Sequence, residues 1–257
     1  MKKLLKLFSA MLSVTLLSVG LMAQPSSAAR NDVTIQQTVT HQLQDKKQFD
    51  KVQSSVEDGI VTLTGTVDLY QDKLDAGKKV RKMKDVQGVR NLIEVAGANV
   101  PDPQLHEQLA KKLFYDRIGY YDNAFNYYTL SVKDGVVTVG SETYNDVGRD
   151  TALAIVNRMP GVKDVVDNIK VLPTSLFDDS LRVRATRAIY GDSVLGKYAT
   201  DPARPIRIIV NNGHISLYGT VENEMDKTIA GIRVNSVPGA FSVENHLTVD
   251  KNDNPGM

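Results

Sequence analysis

An α+β architecture of three tandem αββαβ units, each a small three-stranded sheet with two helices on one face, is what this 257-residue sequence predicts. Three observations carry that reading. A short motif, an Asp-Gly or Asn-Gly pair between alternating apolar runs, recurs at even spacing. A helical apolar stripe precedes each copy of it. A second helical segment closed by glycine follows each copy. Internal repetition is read before any local feature because it sets the architecture.

The hairpins are the clearest elements. They lie at 58–65 (DGIVTLTG), 134–141 (DGVVTVGS) and 212–219 (NGHISLYG), with Gly59, Gly135 and Gly213 spaced 76 and 78 residues apart. Alternating runs at 52–56, 130–132 and 206–210 lead into them. A type I′ turn needs positive φ at both central residues, which Asp-Gly and Asn-Gly accept, so each unit contains a β-hairpin.

Before each hairpin, apolar residues fall at i, i+4 and i+8: Ile35, Val39, Leu43; Leu105, Leu109, Leu113; Leu181, Ala185, Ile189. That spacing lays one stripe along a helix of about three turns. Asp32, Asp102 and Asp179 stand near the starts, where a carboxylate caps free amides. Pro103 suits a first helical position. Second helices are expected over 69–85, 146–159 and 223–237, stopped at Gly88, Gly161 and Gly239, with Pro160 and Pro238 beside the last two. Alternation over 165–171 and 243–249 then reads as a closing strand. Both helices of a unit pack on one face of its sheet.

This repeated pattern resembles the BON-domain family, named for bacterial osmotically inducible and nodulation proteins. The residues that carry the resemblance are Asp58 to Gly65 in the hairpin and Met159 to Val162 after the second helix, and it covers most of 33–249. The departures are Ser141 where the other copies have Gly65 and Gly219, no proline before Gly88, and a Gly/Ala-rich closing segment at 92–97. The resemblance implies an exported, non-enzymatic binding module associated with phospholipid surfaces, envelope integrity and osmotic stress.

The N-terminus agrees with export. Lys2, Lys3 and Lys6 precede an apolar run from Leu7 to Ala23, and Ser27 and Ala29 form a peptidase-type site. The cut is placed after Ala29, with Ala28 or Ala23 as alternatives and a retained anchor as the competing reading. Losing three lysines leaves the mature chain at a net charge of −2. No second apolar run is long enough to span a bilayer. The expected division is a signal peptide at 1–29, units at 30–98, 102–172 and 177–249, and a polar tail at 250–257. The linkers at 97–103 and 172–175 are short, so neighbouring units should touch.

Composition excludes several classes. The chain has no Cys, so a disulfide scaffold, a cysteine-ligated zinc module and a thiol enzyme are ruled out. A formal charge of +1 gives no global pull toward nucleic acid. His41, His106, His214 and His246 fall in different elements and form no H-x-x-x-H pattern, so no metal or cofactor is expected. His214, beside a turn, reads as a surface residue. Asp116 with Asp122, and Asp178 with Asp179, read as loop and cap residues. No nucleophile motif or phosphate loop is present, and no catalytic residue is assigned.

Two clusters remain. Lys73, Lys78, Lys79, Arg81, Lys82 and Lys84 surround a Val80/Met83 stripe on the second helix of the first unit, a candidate lipid-headgroup surface. The competing reading is a solvated face balanced by Asp68, Asp72 and Asp75. The aromatic run from Phe114 to Tyr128 supplies Tyr120, Tyr121, Phe125 and Tyr127 as candidate partner-surface residues, joined by Tyr198 from the equivalent loop of the third unit. Against it stands packing of that loop onto a neighbouring unit. The functions that follow are an exported protein that binds an anionic membrane surface, a periplasmic chaperone-like or adaptor protein using sheet edges and tyrosine loops on an envelope protein, and a secretion-assembly component.

Overall fold

The computed structural model describes residues 27–115, 124–200 and 205–250. The first unit contains α1 (Ser27–Gln44), β1 (Val52–Glu57), β2 (Ile60–Val67), α2 (Tyr70–Arg81), β3 (Gly88–Asn91) and β4 (Glu94–Val95). The second contains α3 (Asp102–Tyr115), β5 (Tyr127–Lys133), β6 (Val136–Thr143), α4 (Asp146–Asn157) and β7 (Asp164–Val171). The third contains α5 (Leu176–Tyr190), β8 (Arg207–Asn211), β9 (His214–Tyr218), β10 (Thr220–Val221), α6 (Glu224–Asn235), β11 (Ser242–Asn245) and β12 (Thr248–Val249). Short 3-10 helices follow α1 at Lys47–Phe49 and α5 at Leu195–Ala199. The expected leader lies outside the described residues except for its last three, which begin α1.

Each hairpin is antiparallel, and the closing strand joins the second hairpin strand in parallel. The central strand is therefore β2, β6 or β9, and its inward residues meet the helices. Val61 and Leu63, Val137 and Val139, and Ile215 and Leu217 are buried in three separate cores. The three helical stripes, from Ile35 to Ile189, are buried in the same cores. Each fully buried aliphatic side chain contributes about 1.5–3 kcal/mol, which is what holds units this small together.

The turns have the expected geometry. Asp58 and Gly59 take φ of 50° and 75°, Asp134 and Gly135 54° and 78°, Asn212 and Gly213 49° and 81°. The carboxylates near the helix starts do something other than cap their own helices. Asp32 accepts from the amides of Asp58 and Gly59 at 2.9 and 2.8 Å, and Asp102 from those of Asp134 and Gly135 at 2.7 and 3.0 Å. In the third unit the equivalent residue is Asp178, which accepts from Asn212 and Gly213 at 2.9 and 2.8 Å. Asp179 pairs with Arg182 instead, at 2.6 Å. A carboxylate thus latches the first helix to the hairpin turn in all three units.

The second helices end two to four residues before their expected ends, and the stop in the first unit falls elsewhere than expected. Gly161 and Gly239 take φ of 96° and 91°, but the matching left-handed residue in the first unit is Asp85 at 65°. Gly88 instead starts β3, paired with Ile60. The residue two beyond the turn donates to the hairpin glycine in each unit: Gln87 to Gly59, Lys163 to Gly135 and Phe241 to Gly213.

A side chain also bridges each closing strand to the second helix. Asn91 donates to Lys73 O at 2.7 Å and Asn245 to Lys227 O at 2.8 Å. Gly77 and Gly231 lie beneath them, where a Cβ would approach the amide nitrogen to 2.8 and 3.1 Å. The second unit has Asp167 there, which has no N–H to donate, and Arg149 binds it with Nε at 3.0 Å.

Neighbouring units touch, through different joints. Tyr70 of α2 packs against the second core, while Val100 and Ala98 of the linker crowd Gly161. Burial and the nearby Asp164 carboxylate push the Tyr70 phenol up to about 12. Between the second and third units the contact is aromatic. Tyr127 stacks on Tyr218 at 4.2 Å, Tyr218 stacks on His246 at 4.9 Å, and Arg182 lies over the Tyr144 ring at 4.6 Å.

Candidate anionic-surface site

The second helix of the first unit divides its residues by face. Ala76, Gly77 and Val80 are buried, and Met83 packs against the same core. The Val80/Met83 stripe is therefore part of the first core and is not available to a membrane, a correction to its reading as part of a headgroup surface. Lys78, Lys79 and Lys82 point the other way. With Lys46, Gln48, Phe49 and Asp75 they line an open groove of about 440 Å³. Lys73, Arg81 and Lys84 lie outside its lining.

The fold places these cations for local reasons. Lys79 Nζ donates to Gln42 O in the last turn of α1, where a cation meets the negative end of the helix dipole. The 3-10 turn after α1 buries Phe49 beneath the groove and leaves Lys46 and Gln48 at its rim. Lys46, Lys78 and Lys82 are exposed and form no ion pair among the described residues. The nearby carboxylates accept from neutral amides. Gln48 Nε2 donates to Asp72 at 3.3 Å and Gln71 Nε2 donates to Asp75 at 2.9 Å. Burial, reinforced by Asp75 and Asp68, raises the Asp72 carboxyl above its ordinary range. Asp75 lines the groove beside the lysines, so the opening carries one carboxylate among its four cations.

Lys46 was missing from the sequence-derived set, although the Lys46-Lys47 pair directly after the first apolar stripe marks it. What the groove can do is electrostatic: several ammonium groups converge on one opening, suited to phosphate oxygens. Among the described residues no group of metal-ligating side chains converges. Nor is any described helix long and apolar enough to cross a membrane.

The aromatic candidates fare differently. Tyr120 and Tyr121 lie outside the described residues. Phe125 packs against the third core, and Tyr127 is stacked on Tyr218, so both are engaged within the chain. Tyr198 is no surface residue: it is 1% exposed. Its hydroxyl donates to Asp226 at 2.6 Å and accepts from the Glu222 amide at 2.8 Å. Lys197 pairs with Asp226 at 2.9 Å and with Glu222, and those two bonds hold its ammonium well above the usual lysine range. The loop after α5 folds back and uses Tyr198 as the polar-tipped plug of the third core. His214 is exposed beside its turn, bonded to Ser242 at 2.7 Å.

A repeated helix-latched hairpin module, carrying a basic groove on one copy, defines the class: a tandem array of small α+β units. The BON-domain family model matches residues 31–97, 128–173 and 192–251, more than half of the sequence. The chain belongs to the BON-domain family. Comparison with curated proteins returns no match. Among solved structures, it is similar at 12% identity to CdsD, a structural protein of the type III secretion system of Chlamydia trachomatis, over 82% of this chain and 90% of that one, with a TM-score of 0.23. The periplasmic domain of the type III secretion inner-membrane protein PrgH from S. typhimurium is similar at 10% identity over 79% and 95%, with a TM-score of 0.19. Likeness this low carries no inference about function.

Proposed function

We propose that this chain is an exported, envelope-associated binding protein that engages anionic phospholipid surfaces and supports envelope integrity or osmotic tolerance. Membership of the BON-domain family supports that class. The observation that carries the surface assignment is the first-unit groove, where Lys46, Lys78 and Lys82 are exposed without ion pairs beside Lys79. Each cation near an anionic membrane contributes about 1 kcal/mol. Because Val80 and Met83 belong to the core, this contact is with headgroups and is screened by salt. The periplasm is the compartment this reading assigns. The alternative, an adaptor that holds envelope proteins through its tyrosine loops, loses Phe125, Tyr127 and Tyr198 to contacts within the chain.

Co-sedimentation of residues 30–257 with anionic and zwitterionic vesicles, at low and high salt, tests the proposal. Binding to anionic vesicles alone, lost at high salt, is the expected outcome. Replacing Lys46, Lys78 and Lys82 by Gln should weaken it about a hundredfold, three charges at about 1 kcal/mol each. Equal binding by the triple variant would remove the groove from the site, and no binding by the native sequence would sink the lipid reading.

A further inference from the structure

The first helix of each unit runs beside the outer strand of its hairpin, and the three units treat that seam differently. Four residues after the latch carboxylate, the helix carries Gln36, His106 and Arg182 in turn. Gln36 donates through Nε2 to Ser54 O at 2.5 Å, and Thr40 approaches Ser54 Oγ at 3.5 Å. Arg182 donates through Nη2 to Val210 O at 2.7 Å, and the Tyr190 hydroxyl donates to Ile206 O. The second unit has no such stitch. His106 is exposed and makes no hydrogen bond among the described residues, and Ala110 stands where the first unit has Thr40.

The open seam is a groove of about 280 Å³, lined by His106, Ala110 and Leu113 of α3 and by residues 127–130 of β5. Four consecutive strand residues line it, so it opens along the edge of the strand and not on one face. The main chain at that edge is unpaired. In a two-residue hairpin the pair flanking the turn is hydrogen-bonded, so Lys133, Ser131 and Thr129 turn their amides and carbonyls toward β6. Leu130 and Val132 turn theirs outward, and no hydrogen bond among the described residues reaches them. The same alternation turns Ser54, Ile206 and Val210 outward, where Gln36, Tyr190 and Arg182 bond their carbonyls. Leu130 and Val132 are half-buried, whereas Ile208 and Val210 at the matching positions are fully buried.

A row of outward N–H and C=O groups at strand spacing matches one chemistry, another extended backbone. Among the described residues no Lys, Arg, Asp or Glu lines the groove, so the side chain it takes is apolar. On the other face Thr129 and Ser131 are exposed and polar. A second copy of the chain is poorly matched, because its own Leu130 and Val132 already pack on its own core and leave no side chain to fill the groove. We propose that β5 accepts an extended segment of another polypeptide as a fourth strand of the second sheet. Apolar residues of that segment enter beside α3, and the alternating polar ones lie level with Thr129 and Ser131. This peptide site stands independently of the lipid reading, which concerns the first unit.

The probe is a short soluble peptide in which threonine alternates with valine and leucine. Its fully N-methylated copy keeps the side chains and loses every N–H. Added to residues 30–257, the probe should bind and slow hydrogen exchange of the Leu130 and Val132 amides, and the N-methylated copy should bind about tenfold more weakly or worse. His106→Gln with Ala110→Thr copies Gln36 and Thr40 of the first unit at two positions outside the second core. That variant should lose about tenfold in affinity for the probe while exchange of the Val137 and Val139 amides stays unchanged. Val132→Pro removes one edge N–H without touching the β6 ladder and should weaken the probe as well. No binding of the probe, equal binding of the two peptides, equal binding by the seam variant, or unchanged exchange at Leu130 and Val132 would each overturn the inference. Slowed exchange at those amides that follows protein concentration without peptide would assign the edge to a second copy of the chain, and would overturn it equally.

Discussion

The first and third units share a fold and differ in what they show to solvent. Both latch a helix carboxylate to two turn amides, both place an asparagine between the closing strand and the second helix, and both bury the same stripe positions. Outside, the first unit gathers lysines around an open groove, while the third projects Leu176 and Phe241. The lesson is a division of labour within one backbone. Between these two units, positions that satisfy turn amides and helix carbonyls keep their chemistry. Outward positions such as Gln87, Lys163 and Phe241 are free to set what each copy meets.

The sharpest way to break that comparison is to cut the latch. Asp178 is 1% exposed and holds the buried Gly213 amide, whereas the bonds from Asp32 are exposed or half-buried. An unsatisfied buried donor costs far more than one that water reaches. Asp178→Ala should therefore lower the stability of the third unit by about 2–4 kcal/mol, and Asp32→Ala that of the first by about 1 kcal/mol or less. Native-state hydrogen exchange, read separately for the three cores, checks this. Equal losses would mean that the shared latch does equal work despite its different burial.

A smaller effect separates the units at alkaline pH. Burial holds the Tyr190 phenol up to about 12, and burial with the Asp226 hydrogen bond does the same for Tyr198. Raised values mean that the folded state favours the protonated phenol. That contribution is complete below pH 10 and is lost as pH climbs from 10 toward 12. The first unit holds Tyr70 as its sole tyrosine, so the third core should open first on alkaline titration. Tyr198→Phe should cost about 1–2 kcal/mol near neutrality, because Asp226 loses a bond, and should flatten part of the alkaline loss. Ultraviolet titration of tyrosinate with parallel hydrogen exchange reads both. Simultaneous opening of the first and third cores would break the comparison.

Much of this was legible in the sequence because repetition and periodicity are local. The hairpins, the stripes from Ile35 to Ile189 and the glycine stops at Gly161 and Gly239 follow from turn chemistry and helical spacing. What failed depended on contacts distant in the chain. Asp32 and Asp102 looked like helix caps because their partners lie 26 to 33 residues away. Tyr198 looked like a loop aromatic because nothing nearby in sequence announces Asp226, 28 residues on. Lys46 joined the groove only when a turn brought it beside α2. Of the six lysines and arginines singled out, three line the groove, since spacing alone cannot tell which side of a helix meets a neighbouring turn.

The subtlest misreading also supplies the finest test. Gly88 looked like the stop of the second helix in the first unit, yet the left-handed residue is Asp85, three positions earlier and level with Gly161 and Gly239. Asp85 holds φ of 65° with an exposed side chain. An L-residue in that region carries a steric penalty that glycine does not, although aspartate tolerates it better than most. Part of the gain from glycine is offset by the greater freedom of the unfolded chain. Asp85→Gly should thus stabilise the first unit by about 0.5 kcal/mol and leave the third unchanged, read by hydrogen exchange of the Val61 and Leu63 amides. A loss instead of a gain would show that the Asp85 carboxylate contributes to the turn, and that the first unit has replaced a shared glycine for more than tolerance.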